Sequence, residues 1–208
     1  DITRFAPEAV CHAGIARTFQ LNASFESLSV RDNVRVAAYF GRDNRAYPGL
    51  RIGADVEART TEALEAVSLT GKDTVIAGAL PVLDRKLLML AGALATTPKL
   101  LLMDEPVGGL NPKEIDHMME AVRRVASQGV TIILIEHVMR FLVQLSTRVM
   151  IMHHGERIFY VAPWLTRLSG MTMTIARLCR RVWAARHGFC AMPAMTDDAV
   201  ASSMRAGP

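Results

Sequence analysis

Two short apolar runs, each closing on charged residues, stand out along the chain. Leu100-Leu101-Leu102-Met103 runs into Asp104-Glu105-Pro106, and residues 130–135 run into Glu136-His137. Apolar runs of this length read as buried strands, typically of a parallel sheet. Pro106 stops the first and leaves its two acids at the carboxyl end, where open α/β sheets bind ligands. A third, shorter strand is predicted within residues 14–20 from alternation and β-branched content, closing on Gln20. Two more, at residues 148–152 and 157–161, flank a turn at Gly155.

Helical spacing fills the intervals. Residues 25–40 turn helical, with Ser29 and Asp32 resembling a capping box in which Asp replaces the preferred Glu or Gln. A turn-rich stretch, residues 41–53, precedes a second helix over 55–67. Leu80-Pro81 opens a third, strongly apolar helix over 84–95, which Thr97-Pro98 ends. Pro112 suits the first turn of the next helix, predicted to run to about Gln128 and stop at Gly129. A short helix follows residue 137 and reaches about Leu145. This strand–helix alternation predicts an α/β fold with a parallel, helix-covered sheet. Residues 21–97 lack strand signals and read as a mainly helical insertion.

Composition adds limits more than direction. At 208 residues and half apolar the chain can bury a real core. Cys11, Cys179 and Cys190 have no metal-ligand spacing and no disulfide pattern, which favours a reducing setting. No apolar run reaches the length of a membrane span. The net charge is +4, and the segment from Met171 on carries +3 of it, with five arginines against two aspartates. A basic appendage can touch nucleic acid or anionic lipid, but a few solvated arginines need no partner. Past a weak helical stretch near residues 175–186 the tail has no periodicity and is expected to be loose. The chain opens on Asp1 without the form of a signal peptide and is expected to be an excerpt of a longer product.

Adjacent acids at a strand end suit one chemistry well. Asp104 can hold a hydrated Mg²⁺ and Glu105 can orient or deprotonate an attacking water. The plain alternative is a strand running into a solvated acidic turn. Such a site also needs a Gly-rich loop to grip phosphates, and no G-x-x-x-x-G-K-[ST] pattern occurs. Gly71-Lys72 is the one Gly-Lys pair, and Asp73 follows it where Ser or Thr is needed.

Together the segments resemble the ATP-binding cassette subunits of ABC transporters. Residues 100–104 look like the Walker B strand, Glu105 like the catalytic glutamate, and residues 108–111 like the D-loop. His137 looks like the switch histidine and Gln20 like the Q-loop glutamine. Gly14-Ile-Ala-Arg-Thr-Phe-Gln20, Pro106-Val-Gly-Gly-Leu-Asn-Pro112 and Leu134-Ile-Glu-His-Val-Met139 are most similar to the branched-chain amino acid importers. The similarity covers about residues 1–168. On this alignment residue 1 begins after the family's Walker A loop and adenine-stacking aromatic. The family's signature segment aligns with Leu80, Pro81, Val82, Leu83 and Asp84. Branched Val82 and Leu83 stand there in place of glycines that let the backbone approach a phosphate. Their plain reading is core packing at a helix start.

The resemblance implies a partial P-loop NTPase fold. Residues 1–20 and 98–168 would form the ATPase core, residues 21–97 a helical subdomain, and residues 169–208 an atypical tail. It implies ATP and Mg²⁺ as cofactors. Glu105 and His137 would be catalytic, with Asp104 and Gln20 near the metal through water. Asn111 and residues 80–84 would face nucleotide. Implied partners are transmembrane permease subunits, a second cassette, identical or different, and indirectly a periplasmic solute-binding protein, with no nucleic acid. The implied location is the cytoplasmic face of the inner membrane, and the implied activity transport-coupled ATP hydrolysis. A chain without the phosphate loop is expected to be inactive alone. Two alternatives are a non-catalytic, decaying remnant and a soluble ATPase of the same family acting on DNA or ribosomes. The second of these lacks the coiled-coil or zinc insertions of such relatives.

Overall fold

The computed structural model describes residues 1–18, 24–41, 52–153 and 156–161. Gln20, the turn-rich residues 42–51, and the tail with Cys179 and Cys190 lie outside the described residues. Asp1–Val149 forms one compact unit, and the described residues from Met150 on belong to another.

Three parallel strands organise the first unit in the order β1-β2-β3: β1 (Ile15–Arg17), β2 (Leu100–Asp104) and β3 (Thr131–Ile135). The register pairs Ile15 with Leu100, and Leu100 to Asp104 with Thr131 to Ile135. All three strands therefore point their carboxyl ends the same way, as the two apolar runs predict. Leu101 and Met103 are buried, whereas Leu100 and Leu102 on the other face are half-buried. On β3, Ile133 and Ile135 are 50% and 59% exposed. The parallel sheet and its covering helices are as predicted. Among the described residues the helices pack on the Met103 face, where α4 (Val82–Ala95) and α5 (Pro112–Ser127) bring Leu90 and Met118 beside it.

The described residues between β1 and β2 form helices and turns, near the positions read from their periodicity. α2 (Val30–Phe40), α3 (Ala54–Ala66) and α4 pack on one another around Val34, Val56, Leu64 and Leu90, each at most 1% exposed. α2 starts five residues later than its apolar spacing suggests. Ser29 caps it by accepting from Asp32 N, and the Asp32 carboxylate takes the Ser29 hydroxyl at 2.6 Å. The buried Asn33 amide folds the preceding turn by bonding both Phe25 N and Phe25 O. α5 follows the prediction closely, because Asn111 and Glu114 form a full capping box and Gly129 turns the chain at φ +86°. α6 (Met139–Leu145) follows β3. A separate pair of strands, β4 (Val149–His153) and β5 (Glu156–Val161), hydrogen-bond to each other near their predicted positions.

One element went unread in the sequence: α1 (Pro7–His12), which has Pro at its start and no buried residue. Its Cys11 thiol donates to Gly41 O at 3.1 Å. Burial pushes that thiol above its ordinary pKa. Because the thiolate is the nucleophile, Cys11 is expected to alkylate with iodoacetamide more slowly than a free cysteine at neutral pH. Peptide mass spectrometry during a timed reaction measures this, and labelling as fast as free cysteine would contradict the burial argument.

Candidate functional site

The site lies where β2 and β3 end side by side. β2 delivers Asp104 and Glu105, and Glu105 N donates to Ile135 O at 2.9 Å, extending the ladder one residue past the strands. β3 delivers Glu136 and His137. The His137 imidazole, 72% exposed, sits with Nδ1 3.9 Å from Glu105 Oε1 and 3.7 Å from Glu136 Oε2. The sheet register thus brings together the acid pair and the imidazole picked from sequence.

Asp104 is held from β1. The Arg17 guanidinium reaches its carboxylate at 3.1 Å, a partner that sequence reasoning missed. The register that sets Arg17 beside Leu102 carries its long side chain toward the strand end. Thr18 N continues the ladder to Leu102 O, so β1 approaches the same rim. Gln20, two residues on, lies outside the described residues.

Glu105 adopts φ +46°, a left-handed conformation that non-glycine residues avoid. Its backbone carbonyl is the acceptor for Lys86 Nζ from α4 and for Gly108 N, both at 3.3 Å. Burial lowers the pKa of the Lys86 ammonium, while Glu136 and Glu105 draw it back up. Such strain at a strand end costs about 1–3 kcal/mol and persists where surroundings over-determine it. Replacing Glu105→Gly is therefore expected to stabilise the fold by up to about 1 kcal/mol while removing the carboxylate. Urea denaturation measures this, and a clear loss of stability would show the turn to be unstrained.

The remaining predicted residues are placed differently. Asn111 spends its side-chain oxygen capping α5, accepting from Lys113 N and Glu114 N at 3.0 and 3.1 Å. Leu80 is buried at 4% exposure, and Arg85 grips its carbonyl at 2.8 Å. The buried Asp84 carboxylate is ion-paired with Lys72 across twelve residues. Core packing accounts for Leu83, which packs against the hydrophobic cluster, but not for Val82, which is 50% exposed at the start of α4. In this segment Pro81 and Val82 are exposed, and Leu80 and Asp84 are buried.

The Asp104 carboxylate at the strand end offers hard oxygen ligands that fit a hydrated divalent cation. Among the described residues no group of three or more His, Cys, Asp or Glu side chains could hold an ion directly. Water would therefore complete most of the shell, in keeping with Mg²⁺. The exposed His137 ring suits a phosphate oxygen. Among the described residues, no G-x-x-x-x-G-K-[ST] loop stands beside these groups.

This parallel sheet with an inserted helical layer is the fold of the ATP-binding cassette of ABC transporters. The MJ1267 cassette of an ABC transporter superposes with a TM-score of 0.69 at 23% identity, over 85% of this chain and 73% of that one. Its ADP conformation gives 0.65 at 27% identity, over 78% and 66%. In sequence, the chain's relatives are ATP-binding proteins of ABC transporters. It is 29% identical to the high-affinity branched-chain amino acid transport ATP-binding protein BraF of Pseudomonas aeruginosa, over 70% of this chain and 60% of BraF. It is 33% identical to the sulfate/thiosulfate import ATP-binding protein CysA of Mycobacterium tuberculosis, over 75% of this chain and 42% of CysA. The chain thus spans about half the length of these curated relatives. No family model matches it.

Proposed function

We propose that this chain supplies the water-activating side of an ATP-hydrolysing subunit of an ABC importer. The observation that carries the reading is Glu105 and His137 at adjacent parallel strand ends, 3.9 Å apart. Asp104, steadied by Arg17, would hold Mg²⁺ through a water. Bound Mg²⁺ neutralises charge on the phosphate oxygens. Glu105 would take the proton of the attacking water, with its strained backbone aiming the carboxylate across the β2–β3 rim. The exposed His137 ring would donate to the γ-phosphate, and Gln20 would respond to the nucleotide and relay its state toward permease subunits. Residues 21–97, as a helical subdomain, would dock on those subunits and present Pro81 and Val82 to a second cassette. Asn111 would act at that dimer contact through its backbone, its side chain being committed to α5.

Branched-chain amino acids are the proposed cargo, with a periplasmic binding protein as the distant partner. The motif phrases at residues 14–20, 106–112 and 134–139 support it, as do the names of BraF and its LivG counterparts. The placement is peripheral, at the cytoplasmic face of the inner membrane. Among the described residues no helix is long and apolar enough to cross a membrane. Residues 1–20 with 98–168 would form the catalytic core, with residues 169–208 as an atypical tail.

A second reading, a cassette remnant that does not turn over, is favoured by branched, half-exposed Val82 where close phosphate approach is needed. Phosphoryl transfer rests on positioning and charge neutralisation, so a side chain that holds the phosphate off its backbone donors lowers turnover. Isothermal calorimetry of the chain with Mg²⁺-ATP separates the readings. Micromolar binding rules out the remnant, and heat absent up to millimolar nucleotide rules out an autonomous ATPase.

A further inference from the structure

Between Glu105 and His137 lies a carboxylate that the proposed chemistry does not use. The Glu136 side chain is completely buried. Oε1 accepts from Val107 N at 2.9 Å, in the turn that follows Glu105. Oε2 accepts from His137 N at 3.0 Å and Val138 N at 3.2 Å, in the turn that follows β3. A carboxylate leaves water only where donors and an opposite charge compensate it. Here three backbone N–H groups do so, with the Lys86 ammonium as the cation that interacts with it from α4.

We infer that Glu136 is a positioning residue that locks the Glu105 turn to the His137 turn through its two carboxylate oxygens. The inference rests on the roles read above for Glu105 and His137. The ladder alone does not set this spacing, because its last bond is Glu105 N to Ile135 O, before either functional side chain leaves the backbone. Each oxygen serves a different turn, so the link requires acceptors at both ends. Lys86 bonds the Glu105 carbonyl from above, which joins the same lock to the helical insertion.

An amide of the same shape cannot reproduce this. Glutamine has one acceptor oxygen, and its NH₂ would face an N–H donor in one of the two turns. In Glu136→Gln, amide exchange at Val107, or at His137 and Val138, is expected to rise about tenfold or more. The His137 ring cross-peak should shift with it, while β2, α4 and α5 keep their protection. A core variant of similar stability loss, Val125→Ala, should leave the His137 ring signal and these amides unmoved. If Glu136→Gln does not fold, scalar couplings across hydrogen bonds from Val107, His137 and Val138 nitrogens to the Glu136 carboxyl carbon, read in the wild-type chain, decide the matter. Unchanged exchange at all three amides, a uniform rise throughout the unit, or missing couplings would overturn the inference. Mg²⁺-ATP titration of the wild-type chain reports separately on the nucleotide reading, because the exchange pattern needs no nucleotide.

Discussion

Glu105→Gln is expected to cut ATP turnover by about 10²–10⁴-fold while leaving nucleotide binding unchanged, the range that loss of a general base produces. The measurement is made in a chimaera in which this chain replaces the matching 156 residues of the LivG protein of Escherichia coli. Glutamine keeps the size of the side chain and an oxygen acceptor for the water but cannot take its proton. The Glu105 carboxylate is 37% exposed, so a water can reach it, and the His137 ring 3.9 Å away marks the side on which phosphate would sit. Three groups brace the peptide units around this residue: Ile135 O, Lys86 Nζ and Glu136 Oε1. Ile135 O and Glu136 Oε1 meet backbone N–H groups and Lys86 Nζ bonds the Glu105 carbonyl, so these backbone ties survive the substitution. The substitution also removes the carboxylate's electrostatic draw on Lys86. Turnover at the unsubstituted rate would remove Glu105 from the base role. Loss of nucleotide binding along with turnover would make it a structural residue.

Why that glutamate was legible at all follows from physical chemistry. Four apolar residues ahead of two acids and a proline can be buried only as a strand, and a strand that ends on charge ends at a rim. The second run, ending in Glu136-His137, obeys the same rule, so adjacency of the two rims follows from parallel pairing. Helix α5 was equally readable because its signals are local: Pro112 at the start and Gly129 past the end. Features that depend on distant segments were hidden. The exposure of Ile133 and Ile135 depends on which helices cover the sheet, and hydropathy does not record that. Asn111 suited a nucleotide contact as well as a cap, and only Glu114 three residues on hints at the cap. Glu136 reads as one more strand-end acid until the curvature of residues 105–107 brings Val107 N to it. Val82 reads as core because it is apolar, yet its place at the first turn of α4 turns it outward.

Phe141→Ala is expected to destabilise the fold by about 3–5 kcal/mol, as deletion of a buried aromatic side chain does. The ring is fully buried and is the one buried residue of α6. Leu145 at its other end is only partly buried against the core. The helix is seven residues long, too short to be stable by itself, and no side chain caps its start. Among the described residues its outward side-chain hydrogen bonds are Arg140 to Asp116 at 2.7 Å and Arg123 to Gln144 at 3.4 Å, with the charged pair 40% and 46% exposed. Exposed pairs of that kind contribute about 0.2–1 kcal/mol, so Arg140→Ala should shift the urea midpoint only slightly. Because α6 begins two residues after His137, losing its anchor frees the imidazole before the β2–β3 ladder fails. Hydrogen exchange should then show residues 137–145 opening first, with Leu101 and Met103 still protected. A small global loss with α6 intact would mean that its backbone, not Phe141, fixes the His137 turn.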